Sequence, residues 1–341
     1  MKFHRFLDRC PFLTPPFTCK PLSGGNMNEL LLVRDALGYE LVLKYAPPYL
    51  HMLGPDFPLG QERIHIEMHA LAYFGAIAPH LVPRVLHKDE AAFMMALVYK
   101  KGFITLREAH MQGQFTPEIY SKLGKFIGTL CTNIPPAKPL HFYENPVLKS
   151  ITNTYVFTIA FMKHSDKTNP HKWFTPLPHS PQLLANVAFL KTLFNTSHTC
   201  LIHGDLHTGS VLVNEHDIAV IDAEFALFGP PSFDIGNVMA HLVMDSAGLA
   251  FPLGAALETF WQSVVQHAAL TQEEQGEMLS QSIGFCGVEI ARRLVVPAKS
   301  PALESLKNRQ EVYGQMDALS HRLIENFRHM KTLQDFFRAL P

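Results

Sequence analysis

Leu201-Ile202-His203-Gly204-Asp205-Leu206-His207-Thr208-Gly209-Ser210 is the stretch on which the reading of this chain turns. An apolar entry gives way to a polar, glycine-containing loop. Two short apolar runs follow, Val211–Val213 and Ile218–Ile221, joined by Asn214–Asp217 and succeeded by Asp222-Ala223-Glu224-Phe225. So short a connection predicts a hairpin, which returns the chain almost to where it started. Asp205 and Asp222 are then expected near one another, with Glu224 beside them. Crowded carboxylates repel unless cations compensate. Mg²⁺ with phosphate oxygens is a natural compensation, because Mg²⁺ takes oxygen ligands and few protein carboxylates. Phosphoryl transfer needs one carboxylate to orient and deprotonate a hydroxyl, and others to hold metal against a triphosphate. Asp205 suits the first task; Asp222 and Glu224 suit the second. Either motif alone reads as a turn or a solvated strand end, but both bracketing one hairpin favour the chemistry. His203 and His207 stand at a spacing that binds zinc on a helix. In a loop surrounded by carboxylates, zinc is not the expectation.

Upstream, the chain reads as a smaller mixed lobe over residues 1–100. Leu30–Val33 and Leu41–Lys44 are strand-like runs separated by a turn signal around Asp35–Gly38. Ser23-Gly24-Gly25-Asn26 precedes them as a flexible turn. Ile64, Met68 and Leu71 recur at helical spacing within Gln61–Phe74, and Glu67 shares their face. A half-buried carboxylate needs a partner. Lys44 is the obvious one, with nearby Arg63 the alternative. Pro83–Leu86 and Ala92–Val98 read as further strands, and Val98–Thr105 as the crossing into a larger lobe over residues 101–341. There Pro117–Leu130 predicts a helix stopped by Ile134-Pro135-Pro136, and the proline-rich stretch Thr168–Pro181 an irregular loop. Helical signals dominate from Pro231 onward. The whole predicts an α+β, two-lobed protein.

Bulk properties narrow the partners. Of 341 residues, 47% are hydrophobic and 17% charged, which suits a packed globular chain. Lys and Arg total 29 against 30 acidic residues, so bulk charge suggests neither nucleic acid nor an anionic membrane as partner. Five scattered cysteines without a CxxC pair predict free thiols in a reducing compartment. No apolar run reaches the roughly 20 residues of a membrane span. A cytoplasmic protein is expected.

His203-Gly204-Asp205, the hairpin and Asp222 resemble the aminoglycoside phosphotransferase and choline kinase branch of the protein-kinase-like fold. Ser210 stands where that branch usually has Asn, and Asp222-x-Glu224-Phe225 where it has Asp-Phe-Gly. With Gly229-Pro230 and Phe233-Asp234-Ile235-Gly236, this variant is similar to the 5-methylthioribose kinase family. The resemblance implies a β-rich N-lobe with one main helix and a mainly helical C-lobe. It implies ATP and Mg²⁺ as cofactors, a sugar as substrate, a place in methionine salvage and a homodimer. Gly24, Gly25 and Asn26 resemble the nucleotide loop, where bare backbone approaches phosphates. Lys44 and Glu67 match the pair that positions them, and Glu224 takes over metal binding from the missing Asn. Arg292-Arg293, in an otherwise apolar helix, match a pair that meets substrate phosphate, with His203 and Ser210 among the substrate contacts. A local pair of Glu289 with Arg293 at i, i+4 spacing is the alternative.

The chain departs from that family at Ala223 for Pro, at Phe57-Pro58 for Trp-Pro, at Tyr99-Lys100-Lys101-Gly102 in the hinge, and by apparent shortening near Lys163–Pro181. The last two leave other readings open: a different sugar, amino alcohol or aminoglycoside as acceptor, or a catalytically silent nucleotide-binding protein.

Overall fold

A computed structural model describes residues 2–24, 26–133, 142–162, 173–247, 251–295 and 299–341. Gly25, the Ile134-Pro135-Pro136 stop and residues 168–172 of the proline-rich loop lie outside the described residues.

The N-terminal part is an antiparallel sheet in the order β1 (Thr18–Pro21), β2 (Glu29–Arg34), β3 (Glu40–Tyr45), β5 (Met94–Val98), β4 (Val85–Asp89). The β2–β3 turn closes on Asp35, whose carboxylate accepts N–H bonds from Leu37 at 2.9 Å and Tyr39 at 2.8 Å. The register pairs Leu30 with Lys44 and Lys44 with Met95. Side chains alternate between the faces of a strand. Leu41 and Leu43 therefore pack with Leu31, Val33 and the first helix, α1 (Lys2–Leu7). Val42 packs into the other cluster, which contains the buried face of α2 (Arg63–Ile77), and Lys44 turns to the same side.

After Val98 the chain passes through β6 (Ile104–Thr105) into α3 (Leu106–Met111), capped by Thr105 and Glu108 in a reciprocal capping box. Next come α4 (Pro117–Thr132), α5 (Pro146–Tyr155) and α6 (Pro181–Thr196). The short strands β7 (Cys200–Ile202), β8 (Val211–Val213), β9 (Ile218–Val220) and β10 (Leu227–Gly229) frame the polar loops. The β8–β9 hairpin forms with Val211 opposite Val220, and β6 adds to its edge; β10 pairs with β7. Helices α7 (Pro231–Ser246), α8 (Leu253–Ala268), α9 (Gln272–Val295), α10 (Pro301–Glu304), α11 (Arg309–Asn326) and α12 (Leu333–Ala339) complete the C-terminal part. The main core runs through α2, α4, α6, α7, α9 and α11. No helix among the described residues is long and apolar enough to cross a membrane. The five cysteines are free thiols.

The sequence reading overlooked α1, β1, α5 and most of α6. Residues 173–180 are irregular as expected, but Pro181 opens α6 at its first position, where its missing N–H costs no hydrogen bond.

Candidate active site

Lys44 lies between two carboxylates from different elements. Its Nζ donates to Glu67 Oε1 of α2 at 2.7 Å and to Asp222 Oδ1 at 2.6 Å. Lys44 and Glu67 are buried, whereas the Asp222 side chain keeps 39% of its surface exposed. Burial opposes a charge on Lys44, yet Asp222, Glu67 and Glu224 together raise its pKa above the ordinary value. Asp222 sits at φ 63°, a left-handed conformation that short polar side chains tolerate best. The chain then makes one turn of 3₁₀-helix over Ala223–Phe225.

Glu224 is also buried, and burial pushes its carboxyl up to about 8 against the pull of Lys44. Asn28 donates to Glu224 Oε2 at 2.7 Å, and Asn28 in turn accepts from Arg63 Nε at 3.0 Å. Asn145 donates its amide to the carbonyls of Glu224 at 2.8 Å and Ala226 at 3.1 Å, fixing the backbone behind the carboxylates. Of the expected glycine-rich loop, Gly24 has φ +99° and open space around it, and exposed Asn26 donates its N–H to Gly24.

Asp205 follows β7 in the polar loop that leads to β8. Its loop is held by Asp234 of α7, which accepts from the N–H groups of His203 at 2.7 Å and Gly204 at 3.0 Å. Gly204 has φ +81°, and a Cβ there would come within 2.2 Å of the Phe225 carbonyl, so only glycine fits. His203 Nε2 donates to Ile221 O at 2.8 Å and Nδ1 accepts from Asp205 N, which sets the tautomer; burial lowers its pKa. Ser210 accepts from His207 N at 2.9 Å and donates to the His207 or Asp205 carbonyl. His203 and Ser210, expected among the substrate contacts, hold the loop together through these bonds. At 0% and 2% exposure they form the loop's framework.

The tandem arginines divide. Arg293 Nε binds Glu289 Oε1 at 2.6 Å, the local i, i+4 pair. Arg292 Nη1 binds Glu289 Oε2 at 3.0 Å and also stands 3.8 Å from Asp205 Oδ1. Burial works against ionising Glu289, but Arg292 and Arg293 hold it well below the usual carboxylate range. Behind them His241 bridges Glu289, at 3.3 Å from Nε2, and Arg107 of α3, at 3.5 Å from Nδ1. Burial pushes His241 down to about 4.

The sequence reading missed Arg63 as more than an alternative partner, and gave Arg107 and His241 no role. Arg63 precedes Glu67 by one helical turn, and that spacing was the available signal. The expected nest of three carboxylates is also corrected. No group of three His, Cys, Asp or Glu side chains among the described residues converges to hold a metal ion, because Asp222 turns to Lys44 and Glu224 to Asn28. Asp222 and Glu224 still offer only oxygen donors. The local charge balance also leaves room for a cation: among the described residues, the ion pairs of Glu67, Asp222 and Glu224 are with Lys44 and Arg63. That donor set fits a hard divalent ion that takes few protein ligands.

Known proteins resemble this chain in sequence and in fold. A methylthioribose kinase of Bacillus velezensis is 30% identical over 309 residues, covering 82% of this chain and 78% of that one. A methylthioribose kinase of Geobacillus kaustophilus is 28% identical over 360 residues, covering 95% and 90%. Among solved structures, the amicoumacin kinase hAmiN in complex with AMP-PNP, Ca²⁺ and Ami superposes with a TM-score of 0.55 at 14% identity, covering 95% of this chain and 92% of that one. A fructosamine-3-kinase-like protein of Thermobifida fusca superposes with a TM-score of 0.51 at 17% identity, covering 93% and 97%. These likenesses give the fold: a kinase-like phosphotransferase with a sheet-rich N-terminal part and a helical C-terminal part. The sequence profile of the phosphotransferase enzyme family APH matches residues 18–263, and the chain belongs to that family.

Proposed function

We propose that this chain is an ATP- and Mg²⁺-dependent kinase that phosphorylates the 1-hydroxyl of 5-methylthioribose, a step of methionine salvage. The observation that carries the reading is a pair of charge clusters: Lys44 Nζ donates to Asp222 at 2.6 Å, and Arg292 Nη1 stands 3.8 Å from the Asp205 carboxylate. The relatives named methylthioribose kinase support the acceptor.

In this mechanism Asp205 orients the acceptor hydroxyl and takes its proton as the new oxygen–phosphorus bond forms and the bond to the departing ADP breaks. Lys44, held by Glu67, positions the triphosphate. Arg292, held by Glu289, lies where negative charge gathers on the moving phosphoryl group, and its planar fork suits phosphate oxygens. Arg293 supports it through the same carboxylate. Asp222 and Glu224 would hold the metal, which when bound supplies charge neutralisation and orientation of the phosphates. Gly24 and Asn26 line the phosphate side. Gly25 is assigned there from the sequence alone. The Lys44–Glu67 and Asp205–Arg292 arrangements count against a silent nucleotide-binding protein.

The test is transfer of label from [γ-³²P]ATP to methylthioribose. Asp205→Asn is expected to lower kcat by about 10²- to 10⁴-fold with nucleotide binding intact. Nucleotide binding without turnover on any acceptor would overturn the kinase reading. Turnover only on another sugar, an amino alcohol or an aminoglycoside would overturn the acceptor and leave the chemistry standing.

A further inference from the structure

Arg63 opens α2 and is 3% exposed, with its Nε 3.8 Å from Glu224 Oε2. Its guanidinium gathers three chain segments. Nη2 donates to Met27 O and Pro47 O, each at 2.9 Å, Nη1 to Gly60 O at 2.6 Å, and Nε to Asn28 Oδ1 at 3.0 Å. Arginine has five donors in a rigid fork, and every nitrogen here is used. Asn28 is 1% exposed and passes the contact on through Nδ2 to Glu224 Oε2 at 2.7 Å. The amide can face only one way: its oxygen must meet the guanidinium and its NH₂ the carboxylate. The same loop is tied from outside, since Met52 N donates to Asn26 O at 2.9 Å.

We propose that Asn28 and Arg63 are positioning residues for Glu224, forming a strap that links the glycine-rich loop to the metal site. The inference rests on the kinase reading above, in which Glu224 is a metal ligand. An unheld carboxylate in this place would be free to rotate away from the cleft or to close on Lys44. The strap occupies one oxygen and thereby fixes the plane of the other. Because Met27, Asn28 and Glu224 move together, settling the loop on a nucleotide also settles the ligand. Metal and nucleotide should therefore strengthen one another's binding, and the reciprocity of linkage makes that coupling measurable from either side. Helix α2 gains a second duty: it carries Glu67 to Lys44 and, one turn earlier, Arg63 to this strap.

The experiment uses Mn²⁺ as the probe, with binding read by electron paramagnetic resonance with and without AMP-PNP. Wild type should bind Mn²⁺ more tightly with the nucleotide present. Asn28→Ala should weaken Mn²⁺ in the AMP-PNP complex by about tenfold or more, the range for losing a partner of a metal ligand. It should leave the KM for the acceptor unchanged and have its kcat restored by raising the metal concentration. Asn28→Ser, which removes less volume, serves if the alanine variant does not fold. Mn²⁺ affinity within about twofold of wild type, or a lowered melting temperature with no rescue by metal, would overturn the strap alone. A wild-type chain that takes up no Mn²⁺ with nucleotide would overturn the kinase reading as well.

Discussion

Glu289→Gln removes one negative charge from a site where it faces two guanidinium groups, without changing the shape of the side chain. The contacts are short, 2.6 Å to Arg293 Nε and 3.0 Å to Arg292 Nη1. At an effective dielectric constant of about 20, each is worth roughly 5–6 kcal/mol before desolvation. Most of that is cancelled by the cost of burying the charges, but removing one partner leaves the others uncompensated, which costs about 3–5 kcal/mol. A loss of that size is a large fraction of the roughly 5–15 kcal/mol that holds a domain folded. Activity should suffer in a distinguishable way. With Glu289 neutral, Asp205 becomes the nearest carboxylate to Arg292, now 3.8 Å away. Closer approach ties the Asp205 carboxylate to the guanidinium and draws it away from the acceptor hydroxyl. Urea unfolding at neutral pH measures the first effect. A reduced kcat with nucleotide binding unchanged measures the second. An unfolding free energy within about 0.5 kcal/mol of wild type, the scatter of a neutral surface change, would refute the reasoning.

Two further outcomes are expected. Gly204→Ala puts a Cβ 2.2 Å from the Phe225 carbonyl at φ +81°. The backbone conformation alone costs about 1–2 kcal/mol, and the clash must also shift Asp205, so both the urea midpoint and turnover should fall while nucleotide binding survives. His241 is ordinarily half-protonated near 6.5 and is pushed down to about 4 by burial. The unfolded chain takes up this proton below 6.5 while the folded chain refuses it until about 4, so acid favours unfolding. Across that window the folded state should lose about 3 kcal/mol through this residue. Urea titrations from pH 7 to 4 should show a shallower slope in His241→Gln, and an unchanged slope would contradict the assignment.

Much of the site was legible because its chemistry forces local patterns. The hairpin needs a short polar connection between apolar runs, and Val211–Val213 with Ile218–Ile221 could hardly read otherwise. Glu67 announced itself as a charge on an apolar helical face. Asn28, Arg63, Arg107 and His241 did not, because their partners are 35 to 196 residues distant for Asn28 and 134 for Arg107. Nothing in a linear pattern distinguishes a buried arginine bonded to carbonyls from one in solvent. The short α1 and β1 were missed for another reason. They are stabilised by packing on the sheet rather than by a period long enough to see, as Phe6 and Leu7 against Leu31 and Val33 illustrate. Loop residues beside a reactive group, such as His203 and Ser210, look alike in a sequence whether they hold the loop or touch the ligand.

The Lys44–Asp222 contact has a mechanical consequence. It joins the sheet-rich and helical parts through two groups of very different hydration: the lysine is 3% exposed and the aspartate 39%. Breathing of the cleft would leave Lys44 with Glu67 inside the sheet-rich part and let water reach the aspartate first. The seam along which the two parts separate thus runs through one half-wetted carboxylate, and dissolved salt can weaken that grip while leaving the dry pair behind it almost untouched.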